Sequence, residues 1–373
     1  MKPHRFVILT LAFAGAVAAM PSRAFCQAGD NEVVKMLEPI REQYKLPALG
    51  AAVVTSEGLV SKGVAGVRKK GGDVPVTIDD QWHLGSDTKA MTAVVVATLV
   101  ERGKLSWSTT LGSVFPDLAA TFPEDFRQIT VEQLLSHHAG QTSNLDWRKL
   151  SRSAPDVTDQ RLNVVKTAAA TRLSSRPGTT YEYSNLGYVI AGAVAERAGG
   201  KPWETLMRDF VFTPLGMTSC GFGGLGTAGK VDQPWPHDAA GKPAALNGPL
   251  VDNPAVMGPA GTVHCSIADW SRFIADQLRG AQGKSGILKA ETYTILQTPH
   301  FGGDYAFGWL VTSRPWAGGR VLTHSGSNTA NFCVVWIAPA RDLAVLAVTN
   351  QGGEAAQKGT DAGVSALILA RNK

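Results

Sequence analysis

Apolar positions change period along this chain. From Asp30 to Lys45, Val33, Val34, Leu37 and Ile40 fall at helical spacing, and Pro47 stops the pattern. Two strand-like runs follow, Gly50 to Thr55 and Leu59 to Gly66, around the turn Ser56-Glu57-Gly58, which together predict a hairpin. Ser86 to Arg102 is apolar around most of a helical circumference, so the helix it predicts is buried. Ser86 is placed to cap it, Asp87 suits its dipole, and Gly103 ends it. Helical patches at Val131 to Ser136, Asn163 to Thr171 and Leu186 to Ala198 lie among loops rich in proline and glycine, and a further helix is expected over Ile267 to Leu278. Strand-like runs then return at Phe307 to Val311, Val321 to Thr323, Phe332 to Ile337 and Leu343 to Thr349, before a closing helix from Glu354 to Ala370. Strands first, helices between, strands last predicts an α+β fold: an antiparallel sheet built from both ends of the chain and flanked by helices, with a helical region inserted. The expected division is an α/β sheet domain over residues 29–104 and 262–373, and an inserted, mainly helical domain over 105–261.

Residues 1–28 are set aside as an address. Met1 to Arg5 is basic, Phe6 to Ala19 is an unbroken apolar run too short for a comfortable span, and small residues follow. This is a secretory signal pattern, and it places the mature protein across the inner membrane, in a bacterial periplasm, with no stable membrane span after cleavage. It also changes the charge. Of 36 basic and 31 acidic residues, Lys2, Arg5 and Arg23 belong to this stretch, leaving 33 minus 31, or +2. A nucleic-acid partner is therefore not expected. With 44% hydrophobic and 18% charged residues, the chain has ample material for a large core. Beyond Cys26 there are three cysteines: Cys220 and Cys265, whose spacing leaves pairing open, and Cys333, which sits in an apolar run and reads as core. No cysteine has a CxxC neighbour, so no metal or other cofactor is expected.

The chemistry rests on three short motifs. In Ser86-Asp87-Thr88-Lys89, positions i and i+3 share a helical face, so Lys89 can activate Ser86 as a nucleophile if burial lowers its pKa. A cap and a surface lysine are the alternative. In Tyr183-Ser184-Asn185, a phenol near Ser86 and Lys89 can exchange protons with nucleophile and leaving group, and the amide can hold the lysine or the substrate. An aromatic turn packed into the core is the alternative. In His324-Ser325-Gly326-Ser327, glycine lets backbone approach a substrate, and the amides of Ser327 and Ser86 can form an oxyanion hole. An ordinary polar turn between strands is the alternative. There is no GxSxG and no HExxH. The pair His137-His138 cannot share a helical face as metal ligands and reads as structural; Gly221 to Gly226 reads as a glycine loop, and Trp82, Trp147, Trp235 and Trp309 as core.

In order, spacing and surrounding text, these motifs resemble the penicillin-recognising serine hydrolases, the superfamily of class C β-lactamases, DD-peptidases and family VIII esterases. Leu134-Leu135-Ser136-His137-His138-Ala139-Gly140 looks like the segment usually read LLSHTSG, and Arg176-Pro177-Gly178, Pro214-Leu215-Gly216-Met217 and Pro259-Ala260-Gly261 also match. The resemblance covers nearly the whole mature chain. It implies a β-lactamase/transpeptidase-like fold with the site where sheet and helical region meet, acylation of Ser86 with Lys89 and Tyr183 as proton carriers, Asn185 orienting lysine and substrate, and the His324–Ser327 strand as one wall. One departure matters: many members carry lysine where this chain has His324, which is mostly neutral near pH 7 unless a carboxylate sits beside it. Recognition of a substrate carboxylate should then be weaker. Weight shifts toward an exported hydrolase of esters or amides, an esterase or peptidase, with small esters, peptides and β-lactams as candidate substrates and peptidoglycan as a further candidate partner. A β-lactamase or D-alanyl-D-alanine carboxypeptidase is the first alternative, and a non-catalytic sensor that binds penicillin or peptidoglycan is the second. The class A deacylation motif ExxLN is absent, which makes Tyr183 the expected proton acceptor in deacylation.

Overall fold

The structure, a computed structural model, describes residues 30–246, 248 and 251–371; the expected signal segment lies outside the described residues. Among the described residues, nine strands form two sheets. The first hairpin pairs β1 (Ala48–Thr55) with β2 (Gly58–Gly66). A small sheet takes β3 (Gln81–His83), β4 (Gly221–Phe222) and β5 (Val263–Ser266), and the C-terminal run supplies β6 (Leu310–Arg314), β7 (Gly319–Ser327), β8 (Phe332–Ala338) and β9 (Leu343–Thr349). The main sheet is antiparallel throughout, in the order β2-β1-β9-β8-β7-β6. Its join is between the two ends of the chain: Leu49 faces Thr349, and the register runs on to Val54 and Ala344.

Six helices longer than ten residues are found among the described residues: α1 (Asn31–Gln43), α2 (Thr88–Glu101), α3 (Val157–Ala169), α4 (Asn185–Gly199), α5 (Ile267–Ala281) and α6 (Gly353–Arg371). Strand β1 explains how they layer. Its side chains alternate between faces with period two. Leu49, Ala51 and Val53 share a core with Val33 and Leu37 of α1 and Val364 and Leu367 of α6, whereas Ala48, Ala52 and Val54 share the other core with α2 and α5. A central strand covered on both faces must be apolar along its length, which is why this segment shows no polar alternation. The inserted helices α3 and α4 are tied through a buried ion cluster, with Arg161 donating to Glu196 at 2.6 Å and also to Glu204. This fixes α4, whose first residue is Asn185.

Two expectations at the local level are corrected. The helix at Ser86 begins later, at Thr88, after a tight turn over Gly85–Asp87, and Ser86 does not cap it. Gly85 has φ +47°, outside the helical region. The strand placed at Phe307 to Val311 starts instead at Leu310, because Gly308 (φ +86°) crosses α2: a Cβ there would fall 2.5 Å from the backbone of Ala90. Trp82 and Trp309 are core residues as expected, while Trp147 and Trp235 are only half-buried.

Cys220 and Cys265 are disulfide-bonded and staple the start of β4 to β5 across 45 residues; Cys333 is free and buried. Loop-closure entropy for a link of that span is worth roughly 4 kcal/mol. The Cys220→Ala/Cys265→Ala variant should therefore unfold at clearly lower urea concentration than the oxidised protein, and coincident unfolding curves would show that the link contributes nothing.

Candidate active site

The turn carrying Ser86 is pinned from three sides. Ahead of it, His83 accepts a hydrogen bond from the Gly85 amide through Nδ1 (3.0 Å), and its Nε2 faces Asp252 Oδ1 at 2.6 Å. Above it lies β7, and two glycines make that approach possible. A Cβ on Gly85 would fall 2.3 Å from the Ser327 nitrogen, and one on Gly326 would fall 1.9 Å from the Leu84 carbonyl oxygen. Any side chain at either position would push strand and turn apart. Below it, α2 is buried from Thr88 to Ala97. Between Trp82 and Ala97, Ser86 alone is not fully buried.

Lys89 is fully buried one turn along, and Nζ has three acceptors: Ser86 Oγ at 3.0 Å, Asn185 Oδ1 at 2.8 Å and the Ala260 carbonyl at 2.8 Å. Those are all the partners an ammonium can serve with three hydrogens. Burial lowers its pKa from the ordinary lysine range to about 7, against the opposing pull of Asp87. Once neutral, the amine keeps two donated bonds and turns its lone pair toward Ser86 Oγ. The Tyr183 hydroxyl is hydrogen-bonded to Ser86, and burial pushes its pKa well above the ordinary phenol value. The Lys89 nitrogen lies 4.9 Å from the centre of the Tyr183 ring. Asn185 is held in turn by Asn144, which accepts from its amide at 3.0 Å. Ser184 is spent locally: its hydroxyl accepts from the Gly187 amide as the cap of α4 and donates to the Thr142 carbonyl.

The third motif lies inside β7 rather than in a turn. Strand β6 pairs only with Gly319 to Thr323, so one edge of His324–Ser327 carries no partner strand among the described residues. His324 does not project freely. Its Nδ1 lies 3.1 Å from Asp87 Oδ1 and its Nε2 3.0 Å from the Tyr305 hydroxyl, while the Cys333 thiol donates to the other oxygen of Asp87 at 3.0 Å. The Asp87 carboxylate is thus turned to strand β7 and not to the end of α2 as expected; no side chain caps that helix. Ser325 lines the cleft beside His324. The Ser327 hydroxyl is occupied within the β7–β8 turn, donating to the Asn331 carbonyl and accepting from the Thr329 amide, which leaves the backbone of Ser327 facing the serine turn. The cleft, about 500 Å³, is walled by Tyr181, Tyr183, Tyr305 and His324 and extends toward Arg314 and Trp336.

Ser86, Lys89, Tyr183, Asn185 and the His324–Ser327 strand are therefore brought to one place. Sequence reasoning missed Asp87, Tyr305 and His83 as partners within it. Only Asp87 carried a usable signal, as the residue beside the nucleophile; the other two become neighbours through the fold. No cluster of metal-ligating side chains is present among the described residues.

The family model for Beta-lactamase matches residues 33–370. Penicillin-binding protein 4 of Amycolatopsis lactamdurans is 26% identical over 339 residues, covering 84% of each chain. An unguisins hydrolase of Aspergillus campestris is also 26% identical, over 86% of this chain, which spans 61% of that protein's length. In fold, the chain is similar to the D-alanine carboxypeptidase AmpC from Burkholderia cenocepacia, with a TM-score of 0.70 at 20% identity over 91% of this chain and 97% of that one. A match running almost from end to end of the described residues, on a β-lactamase/transpeptidase-like fold, makes this chain a member of the β-lactamase family.

Proposed function

We propose that the chain is an exported serine hydrolase that cleaves ester or amide bonds through an acyl-Ser86 intermediate. The observation that carries this reading is the convergence of the Lys89 amine and the Tyr183 phenol on the incompletely buried Ser86 hydroxyl, with Tyr183 itself lining the cleft. Neutral Lys89 takes the Ser86 proton as Oγ attacks the substrate carbonyl. The amides of Ser86 and Ser327 stabilise the oxyanion that forms. Tyr183, which burial keeps protonated, hands its proton to the leaving group and is resupplied from the Lys89 ammonium, which holds the proton taken from Ser86. Water then attacks the acyl carbonyl, its proton passing to the same pair, and Ser86 is released. The sequence made the phenol the acceptor in deacylation; the two shifts instead make the amine the base populated near neutral pH.

Export rests on the pattern of residues 1–28 and is supported by the Cys220–Cys265 disulfide, which suits an oxidising compartment. His324 engaged by Asp87 and Tyr305 supplies no free cation at the position where many relatives place lysine. This favours esters and amides over substrates that need a carboxylate clamped there. The family keeps peptides and β-lactams within the substrate class.

Incubation of the mature protein with a fluorophosphonate probe should give an intact-mass adduct that is absent in Ser86→Ala. An adduct in both proteins would remove the nucleophile assigned here, and a lasting adduct without turnover of p-nitrophenyl esters or nitrocefin would favour the sensor. Because Lys89 works as the uncharged amine, acylation should rise with pH through about 7 and level off above it, falling roughly tenfold per pH unit on the acid side; a flat profile from pH 5 to 9 would exclude lysine as the base. His324→Lys places an ammonium at that position and should speed acylation by penicillins, and an unchanged or slower rate would discredit the charge argument.

A further inference from the structure

His137 was read from the sequence as structural. Its geometry does more than fill space. It is buried, yet its backbone is at φ +64°, a region that non-glycine residues rarely adopt. From there it binds the chain on both sides of Tyr183. The His137 carbonyl accepts the Glu182 amide at 2.9 Å, and the ring atom Nδ1 accepts the Ser184 amide at 3.1 Å. The imidazole also packs against the phenol itself, ring centres 4.4 Å apart, and against Tyr305 at 4.5 Å.

To accept from Ser184, Nδ1 must be free of a proton, so the ring is neutral with its hydrogen on Nε2. Burial, reinforced by the nearby Lys89, holds His137 well below the ordinary histidine range and keeps it in that form. The remaining Nε2 has no hydrogen-bond partner among the described residues, although it is buried among tyrosine rings. An apolar side chain would fill this space without that unpartnered group. What it would not supply is the acceptor for Ser184.

We propose that His137 is a positioning residue for Tyr183: it clamps the two peptide groups flanking the phenol and so sets the distance from the phenol to Ser86. The proposal rests on the acyl-Ser86 reading and deepens it. His137 touches neither Ser86 nor substrate in the reaction described above, so it acts through Tyr183 alone.

Two substitutions separate clamping from folding. His137→Gly adopts the positive φ without strain and keeps the carbonyl bond to Glu182, losing only the imidazole. His137→Asn also tolerates that backbone and offers its side-chain oxygen where Nδ1 stood. Each is measured by the burst rate on a p-nitrophenyl ester, by KM, and by thermal melting to establish the folded fraction. The Gly variant should lose about tenfold to a hundredfold in acylation rate, with KM little changed and the acid limb near pH 7 retained, since Lys89 is untouched. The Asn variant should recover most of that loss. Equal rates in the Gly and Asn variants, or losses that follow the folded fraction alone, would overturn the proposal. Absence of a Ser86 adduct in the unaltered protein would overturn the acyl-enzyme reading, and the clamp with it; an adduct that forms equally fast in the unaltered and Gly proteins overturns the clamp alone.

Discussion

A fully buried primary amine is the constraint around which the site is organised. Lys89 sits fully inside the protein on a mostly apolar helix, and burial opposes its charge. The ammonium is tolerated because three oxygens from three segments meet its three hydrogens: Ser86 from its own turn, Asn185 from the start of α4 and Ala260 from the chain leading into β5. Each acceptor belongs to a different segment. Moving any of them leaves a buried donor unpaired, so the electrostatics of one nitrogen and the relative placement of these segments are the same problem.

The backbone meets this constraint with contacts that admit no side chain. Turn and strand touch at Gly85 and Gly326, where added carbons would overlap the opposing main chain. Asp252 reinforces the arrangement, facing His83 behind the turn and accepting from Asn328 in the β7–β8 turn. Asp87 links the nucleophile's own turn to His324. The result is a rigid frame around Ser86, as preorganised chemistry requires.

How much of this was legible follows sequence distance. Ser86 and Lys89 are three residues apart, and helical geometry alone puts them on one face. The buried character of α2, the first hairpin and the strands β8 and β9 were plain in their apolar patterns because neighbouring residues decide them. Tyr183, Asn185 and the β7 motif were reached through likeness to a family, since nothing local says that segments about a hundred residues apart will meet. The errors have the same origin. Ser86 looked like a helix cap because the left-handed turn at Gly85, needed to admit β7, is invisible without β7. The strand at Phe307 looked continuous because the crossing of Gly308 over Ala90 is a tertiary fact. The pairing of His324 with Asp87 went unforeseen because the two lie 237 residues apart.

The join between β1 and β9 sets an order of events for the newborn polypeptide. Leu49 cannot find Thr349 until three hundred further residues have been made, so the main sheet stays open at its middle throughout synthesis. Until the last strand emerges, hydrophobic β1 has no mate on one side and its edge is free to pair wrongly. A chain built this way closes its main sheet only when the last strand has been made.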